Sequence, residues 1–148
     1  MKIELKNLKI NERLSEETTC FSATVYVNGK RAFEAGNRGH GGCNEYKGAY
    51  EAAAAYAATL PPYTGVVGSI PYDLDMLIDD LIEAERFERA LKHDLKRVAF
   101  VDGGKYYVTK AAATPDMIAA VVGRYPTATI LNTMPIADAV ALCRSIGL

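Results

Sequence analysis

The stretch Phe21-Ser22-Ala23-Thr24-Val25-Tyr26-Val27-Asn28-Gly29-Lys30-Arg31-Ala32-Phe33-Glu34-Ala35 reads as a β-hairpin. Phe21, Ala23, Val25 and Val27 alternate with Ser22, Thr24 and Tyr26, a period of two that puts one row on a core and the other in water. Asn28-Gly29 closes the hairpin, because a two-residue turn needs positive φ and both residues tolerate it. The return strand runs from Lys30 to about Ala35, with Phe33 and Ala35 on one face. Upstream, Ile3, Leu5, Leu8 and Ile10 are apolar. Their alternation breaks near Asn7, which predicts a bend or bulge. The polar residues between Asn11 and Thr19 read as a loop.

Downstream, Gly36-Asn37-Arg38-Gly39-His40-Gly41-Gly42-Cys43-Asn44 is a glycine-rich loop. The alanines around Ala52–Ala58 predict a helix from about Tyr46 to Leu60, stopped by Pro61-Pro62. Residues 62–70 read as a Gly/Pro linker. Leu74, Leu77, Leu81, Ala84, Phe87 and Leu91 recur at three and four and predict a long helix from about Asp73 to Lys92. Val98–Val101 and Tyr106–Thr109 flank Asp102-Gly103-Gly104, a second hairpin. Thr114-Pro115 is an N-cap with proline at the first helical position, opening a helix that ends near Gly123. Thr127–Leu131 reads as a short strand, and Pro135 opens a last helix with Ile136, Val140, Cys143 and Ile146 on one stripe. The fold class is α+β: an N-terminal antiparallel hairpin sheet, two central helices and a ββαβα-like end. One domain over 1–148 is the expected organisation. The linker would divide it into lobes 1–61 and 71–148, each small for an independent core.

A chain of 148 residues, 49% hydrophobic and 24% charged, belongs among ordinary globular domains. The net charge of −1 argues against a global polycation for nucleic acid or anionic lipid. No stretch approaches the roughly 20 apolar residues of a membrane helix, and no apolar signal core follows Met1. A cytoplasmic location, that of the host cell if the gene is phage-borne, is therefore expected. Three cysteines, with no Cys-x-x-Cys pair, read as reduced thiols.

The glycine loop carries the first candidate site, formed by Arg38, Gly39, His40, Gly41, Gly42, Cys43, Asn44 and Lys47. Glycines let amide N–H groups converge on an anion, and a helix N-terminus behind them adds positive charge. The loop lacks the Gly-Lys-Ser/Thr ending of a nucleotide P-loop. The same glycines also suit a tight connection that needs positive φ. His40 and Cys43 allow a second reading, a nucleophilic thiol beside an imidazole. With Cys20 or His93 they allow a third, half of a zinc site, although a second paired half-site is missing. Asp75, Asp79 and Glu83 share a helix face, which suits a divalent cation, a basic partner or plain solvation. Residues 89–110 hold six bases against two acids, and Tyr106 and Tyr107 in that stretch suit either base stacking or a strand with one buried face.

Ser15–Phe21, Tyr26–Lys30, Gly39–Cys43, Thr114–Asp116 and Thr129–Asn132 together resemble small accessory proteins of unknown function from phages and prophages. That resemblance covers most of the chain and transfers no catalytic residue. It implies a gene expressed in an infected bacterium and, by analogy, an anti-defence inhibitor that binds a host protein or sequesters a nucleotide messenger. The expected partner is a host protein or an anionic small molecule. Nucleic acid is a weaker candidate, no membrane is involved, no cofactor is implied and homo-oligomerisation stays open. The alternative is a small cysteine-dependent or metal-assisted enzyme centred on His40 and Cys43.

Overall fold

A computed structural model describes residues 1–148. The fold is α+β. Its strands are β1 (Ile3–Ile10), β2 (Phe21–Val27), β3 (Lys30–Asn37), β4 (Glu45–Gly48), β5 (Tyr63–Gly65), β6 (Gly68–Ile70), β7 (Arg97–Asp102), β8 (Lys105–Ala112) and β9 (Thr129–Ile130). Its helices are α1 (Glu51–Ala57), α2 (Leu74–Asp94), α3 (Pro115–Arg124) and α4 (Ile136–Ser145). The chain divides into two compact units, Met1–Glu83 and Ala84–Leu148. The division falls inside α2, whereas the Gly/Pro segment 62–70 lies wholly within the first unit. No helix is long and apolar enough to cross a membrane.

The first unit is built on an antiparallel sheet in the order β1-β2-β3-β4. Asn7 has φ +53°, and the β1–β2 register slips between Lys6 and Lys9, so the break in alternation is a bulge. Asparagine tolerates that left-handed conformation better than most residues. Val25, Phe33, Ala53, Ile78 and Ile82 form the buried centre of the unit, joining the sheet to α1 and the first half of α2.

Two expectations are corrected here. Residues 46–60 are not one helix: β4 comes first, and α1 is a short helix after it. Tyr46 pairs with Ala35 across the ladder, and its ring meets Phe33 edge-on at 5.8 Å. Gly48, at φ +123°, brings the chain so close to β3 that a Cβ there would lie 2.9 Å from the Ala32 carbonyl oxygen. Ladder bonds and a packed ring override alanine's helix preference, which is a weak local bias. The segment read as a linker is the two-stranded hairpin β5–β6.

The second unit has an antiparallel sheet in the order β8-β7-β9. β7 is buried on both faces. Ala99 and Val101 pack with Leu91, Leu131, Ala139 and Cys143, while Val98 and Phe100 pack with Val121 and Ile130. β9 is shorter than expected. Asn132 Oδ1 accepts the Ala99 amide at 2.8 Å, and its Nδ2 donates to the Leu95 and Arg97 carbonyls at 2.9 and 2.8 Å. That side chain takes the place of the next ladder partner, and Leu131–Thr133 turns as a 3-10 helix instead.

Candidate functional site

The glycine loop folds around one buried side chain. Asn37 Oδ1 accepts from the Thr18 hydroxyl at 2.6 Å and the Gly39 amide at 2.9 Å. Its Nδ2 donates to the Gly42 carbonyl at 3.3 Å and Asn44 Oδ1 at 3.1 Å. The Gly39 carbonyl accepts the Glu16 and Glu17 amides, both at 3.0 Å. Two further loop amides also have protein acceptors, Gly41 on Thr18 Oγ1 at 3.2 Å and Asn44 on Asp75 Oδ2 at 3.0 Å. The expected feed into a helix N-terminus is corrected, because β4 follows the loop.

The charged and reactive members go to separate partners. Arg38 lies 3.8 Å from Glu45, and His40 Nδ1 lies 3.2 Å from Glu16 Oε2. Lys47 stands on β4 facing solvent. Cys43 is exposed, Cys20 half-buried and Cys143 buried, all with free thiols. No three His, Cys, Asp or Glu side chains group in a way that could hold a metal ion. On α2, Asp75 receives the Tyr46 hydroxyl as well as the Asn44 amide, and Asp79 Oδ1 receives Asn44 Nδ2 at 3.2 Å. Burial pushes the Asp79 carboxyl above its ordinary range. These two acids clamp the loop, so that part of the α2 face is not merely solvated.

A different arrangement appears in the second unit. A groove of about 400 Å³ opens between β8 and α3, with Phe100 and Val121 in its floor. Met117, Ala120, Val121 and Arg124 line one side at the three-and-four spacing of a helix face. Ala120 is small and leaves the groove open. Tyr107, Thr109 and Lys110 of β8 line the other side. The strand is irregular here: Val108 pairs with Ala99, but Ala112 pairs with Arg97, so β8 carries extra residues. Thr109 Oγ1 accepts the Val98 amide at 3.1 Å in place of a backbone partner. Bulges of this kind re-aim side chains, and Lys110 sits on the groove rim.

The rings of Phe100, Tyr107 and Tyr125 form one cluster. Phe100 lies 5.2 Å from Tyr107 at 20° and 5.1 Å from Tyr125 at 36°. Tyr107 and Tyr125 are 6.4 Å apart at 18°. The Arg124 guanidinium stands 5.6 Å from the Tyr125 centroid. Tyr107 is 40% exposed, which leaves part of the ring surface open. Neither Lys110 nor Arg124 has a carboxylate partner. The lining offers π-faces, two cations and phenol hydroxyls.

The sequence pointed to Tyr106 and Tyr107 together, and the structure separates them. The Tyr106 hydroxyl donates to Asp94 at 2.8 Å on the opposite, packed face. Phe100 carries no motif in the sequence, Lys110 is marked only as one of the six bases in 89–110, and Arg124 and Tyr125 only extend the α3 stripe of Met117 and Val121. No protein-family model matches the chain, and neither a curated protein nor a solved structure shows significant similarity to it.

Proposed function

We propose that this chain is a non-catalytic binding protein that sequesters a nucleotide-class ligand in the groove between β8 and α3. The observation that carries the reading is the exposed Tyr107 ring, backed by the buried Phe100 and the half-buried Tyr125, beside the cations Lys110 and Arg124, neither of which has a carboxylate partner. A planar base gains contact area and stacking from such rings, and a phosphate gains from the two cations. A pocket of this size suits a small molecule. The resemblance to phage accessory proteins adds a proposed setting, in which withholding a nucleotide signal from a host receptor requires binding and no chemistry.

Calorimetry with AMP, GMP, CMP, UMP and a cyclic dinucleotide tests this. At least one should bind with one-to-one stoichiometry. Tyr107→Ala removes a stacking surface worth ~1–3 kcal/mol per base, so affinity should fall by roughly 5- to 150-fold. Arg124→Ala should weaken the nucleotide but leave the matching nucleoside nearly unchanged, since only the phosphate meets the cation. Absence of binding across the panel, or binding that Tyr107→Ala does not alter, overturns the reading.

A further inference from the structure

The solvent face of the first unit's sheet carries a second polar concavity that the groove in the other unit does not involve. Two rows of side chains cross all four strands there. One is Lys9–Ser22–Gly36–Glu45 and the other Lys6–Thr24–Glu34–Lys47, each step a direct cross-strand pair. Ser22, Thr24 and Gly36 on the two central strands are short, Glu34 is the one long residue there, and the outer positions carry long charged ones. The result is a trough of about 480 Å³ whose floor is Ser22, Thr24 and the bare backbone of Gly36. The bulge at Asn7 places that residue in the trough wall beside Lys9.

The charges in the trough are unequal in availability. Glu34 is held by Arg31 at 2.7 Å, and Glu45 lies 3.8 Å from Arg38. Lys6 stands over the Tyr26 ring at 4.1 Å. Lys9 and Lys47 have no carboxylate partner, and the Ser22 and Thr24 hydroxyls have no protein partner. Two free ammonium groups from opposite sides and two free hydroxyls beneath them make a donor set for an oxyanion. We propose that this trough binds a small phosphate-bearing molecule, with Lys9 and Lys47 holding the phosphate above Ser22 and Thr24. The wall carboxylates Glu34 and Glu45 disfavour a continuous polyanion, because a long backbone must pass them.

The test is a titration of the full chain with pyrophosphate at constant ionic strength, followed by calorimetry and backbone amide NMR shifts. Shifts should centre on Ser22, Thr24 and Gly36. Lys9→Ala and Lys47→Ala should each weaken binding by about tenfold, the scale of one charge-assisted contact. Thr24→Val, which keeps the β-branched shape, should weaken it as well. Lys2→Ala removes a cation already paired with Glu4 at 3.1 Å and should change affinity less than about twofold. Three results overturn the proposal: shifts that map to the Lys110–Arg124 groove, affinity unchanged in the Lys9→Ala/Lys47→Ala double variant, or a single-stranded oligonucleotide that occupies the trough more tightly than pyrophosphate.

Discussion

Gly39 and Gly42 sit three residues apart in the same loop, with φ of +86° and +85°, yet they are not equivalent. A Cβ on Gly39 would lie 2.0 Å from the Leu14 carbonyl oxygen, whereas one on Gly42 would meet open space. Gly42→Ala therefore carries only the left-handed backbone penalty, about 1–2 kcal/mol. Gly39→Ala adds a backbone clash, and it also disturbs the carbonyl that accepts the Glu16 and Glu17 amides. Urea denaturation should place Gly39→Ala well below Gly42→Ala in stability; equal midpoints would show that the loop relaxes freely. The contrast also explains what was readable at this scale. Glycine enrichment announces positive φ, and the sequence did announce it. It does not say which neighbour crowds each glycine, because Leu14 and Glu17 reach the loop only through folding. Asn37 was unremarkable among Gly36 and Arg38, yet its amide organises the turn from a buried position.

At the scale of elements, β5–β6 is the clearest departure from a packed structure. Every residue of both strands is exposed, and at the tip Val66 and Val67 are 107% and 96% exposed. An isolated two-stranded hairpin is marginal in water, and none of its residues belongs to the unit's buried cluster. Val66→Ser and Val67→Ser should therefore change unfolding free energy by less than about 0.5 kcal/mol. A loss of several-fold that amount by chemical denaturation would mean that the hairpin tip is buried in the folded chain. The β2–β3 hairpin was legible because alternation and Asn28-Gly29 agree. β4 was not, because Glu45-Tyr46-Lys47-Gly48 offers one apolar residue and runs toward a stretch of alanines. Its strand character comes from the open edge of β3. The ring cluster was illegible for a related reason. Phe100 lies on β7, Tyr107 on β8 and Tyr125 just past the end of α3, and only the β7–β8 register and the seating of α3 bring them together. Tyr106 and Tyr107 are equivalent in the sequence, and one step of pleat sends one to Asp94 and the other to the groove.

Across the whole molecule the near-zero net charge conceals a split. Ala84–Leu148 holds nine Lys and Arg against six Asp and Glu, while Met1–Glu83 holds eight against twelve. Both units nevertheless use the same device, a tyrosine hydroxyl donated to an aspartate: Tyr46 to Asp75, Tyr72 to Asp80 and Tyr106 to Asp94. In each, burial is the main cause that pushes the phenol well above its ordinary value of 10.0, and the bond to the carboxylate adds to it. The sign of the consequence follows from proton linkage. Above about pH 10 an unfolded tyrosine has released its proton, while these three still hold theirs in the folded chain. The folded state then binds more protons than the unfolded one, so stability falls as pH rises. The contribution is complete below the unfolded value and is lost upward from there, in both units. Alkaline unfolding should accordingly begin above about pH 10 and coincide with a late, cooperative step in tyrosinate absorbance. Tyr106→Phe and Tyr46→Phe should each shrink that step and make the stability of the affected unit less steep in alkali. If all tyrosines ionise gradually while circular dichroism stays native, the three hydroxyl–carboxylate bonds do not hold their protons and the linkage argument fails.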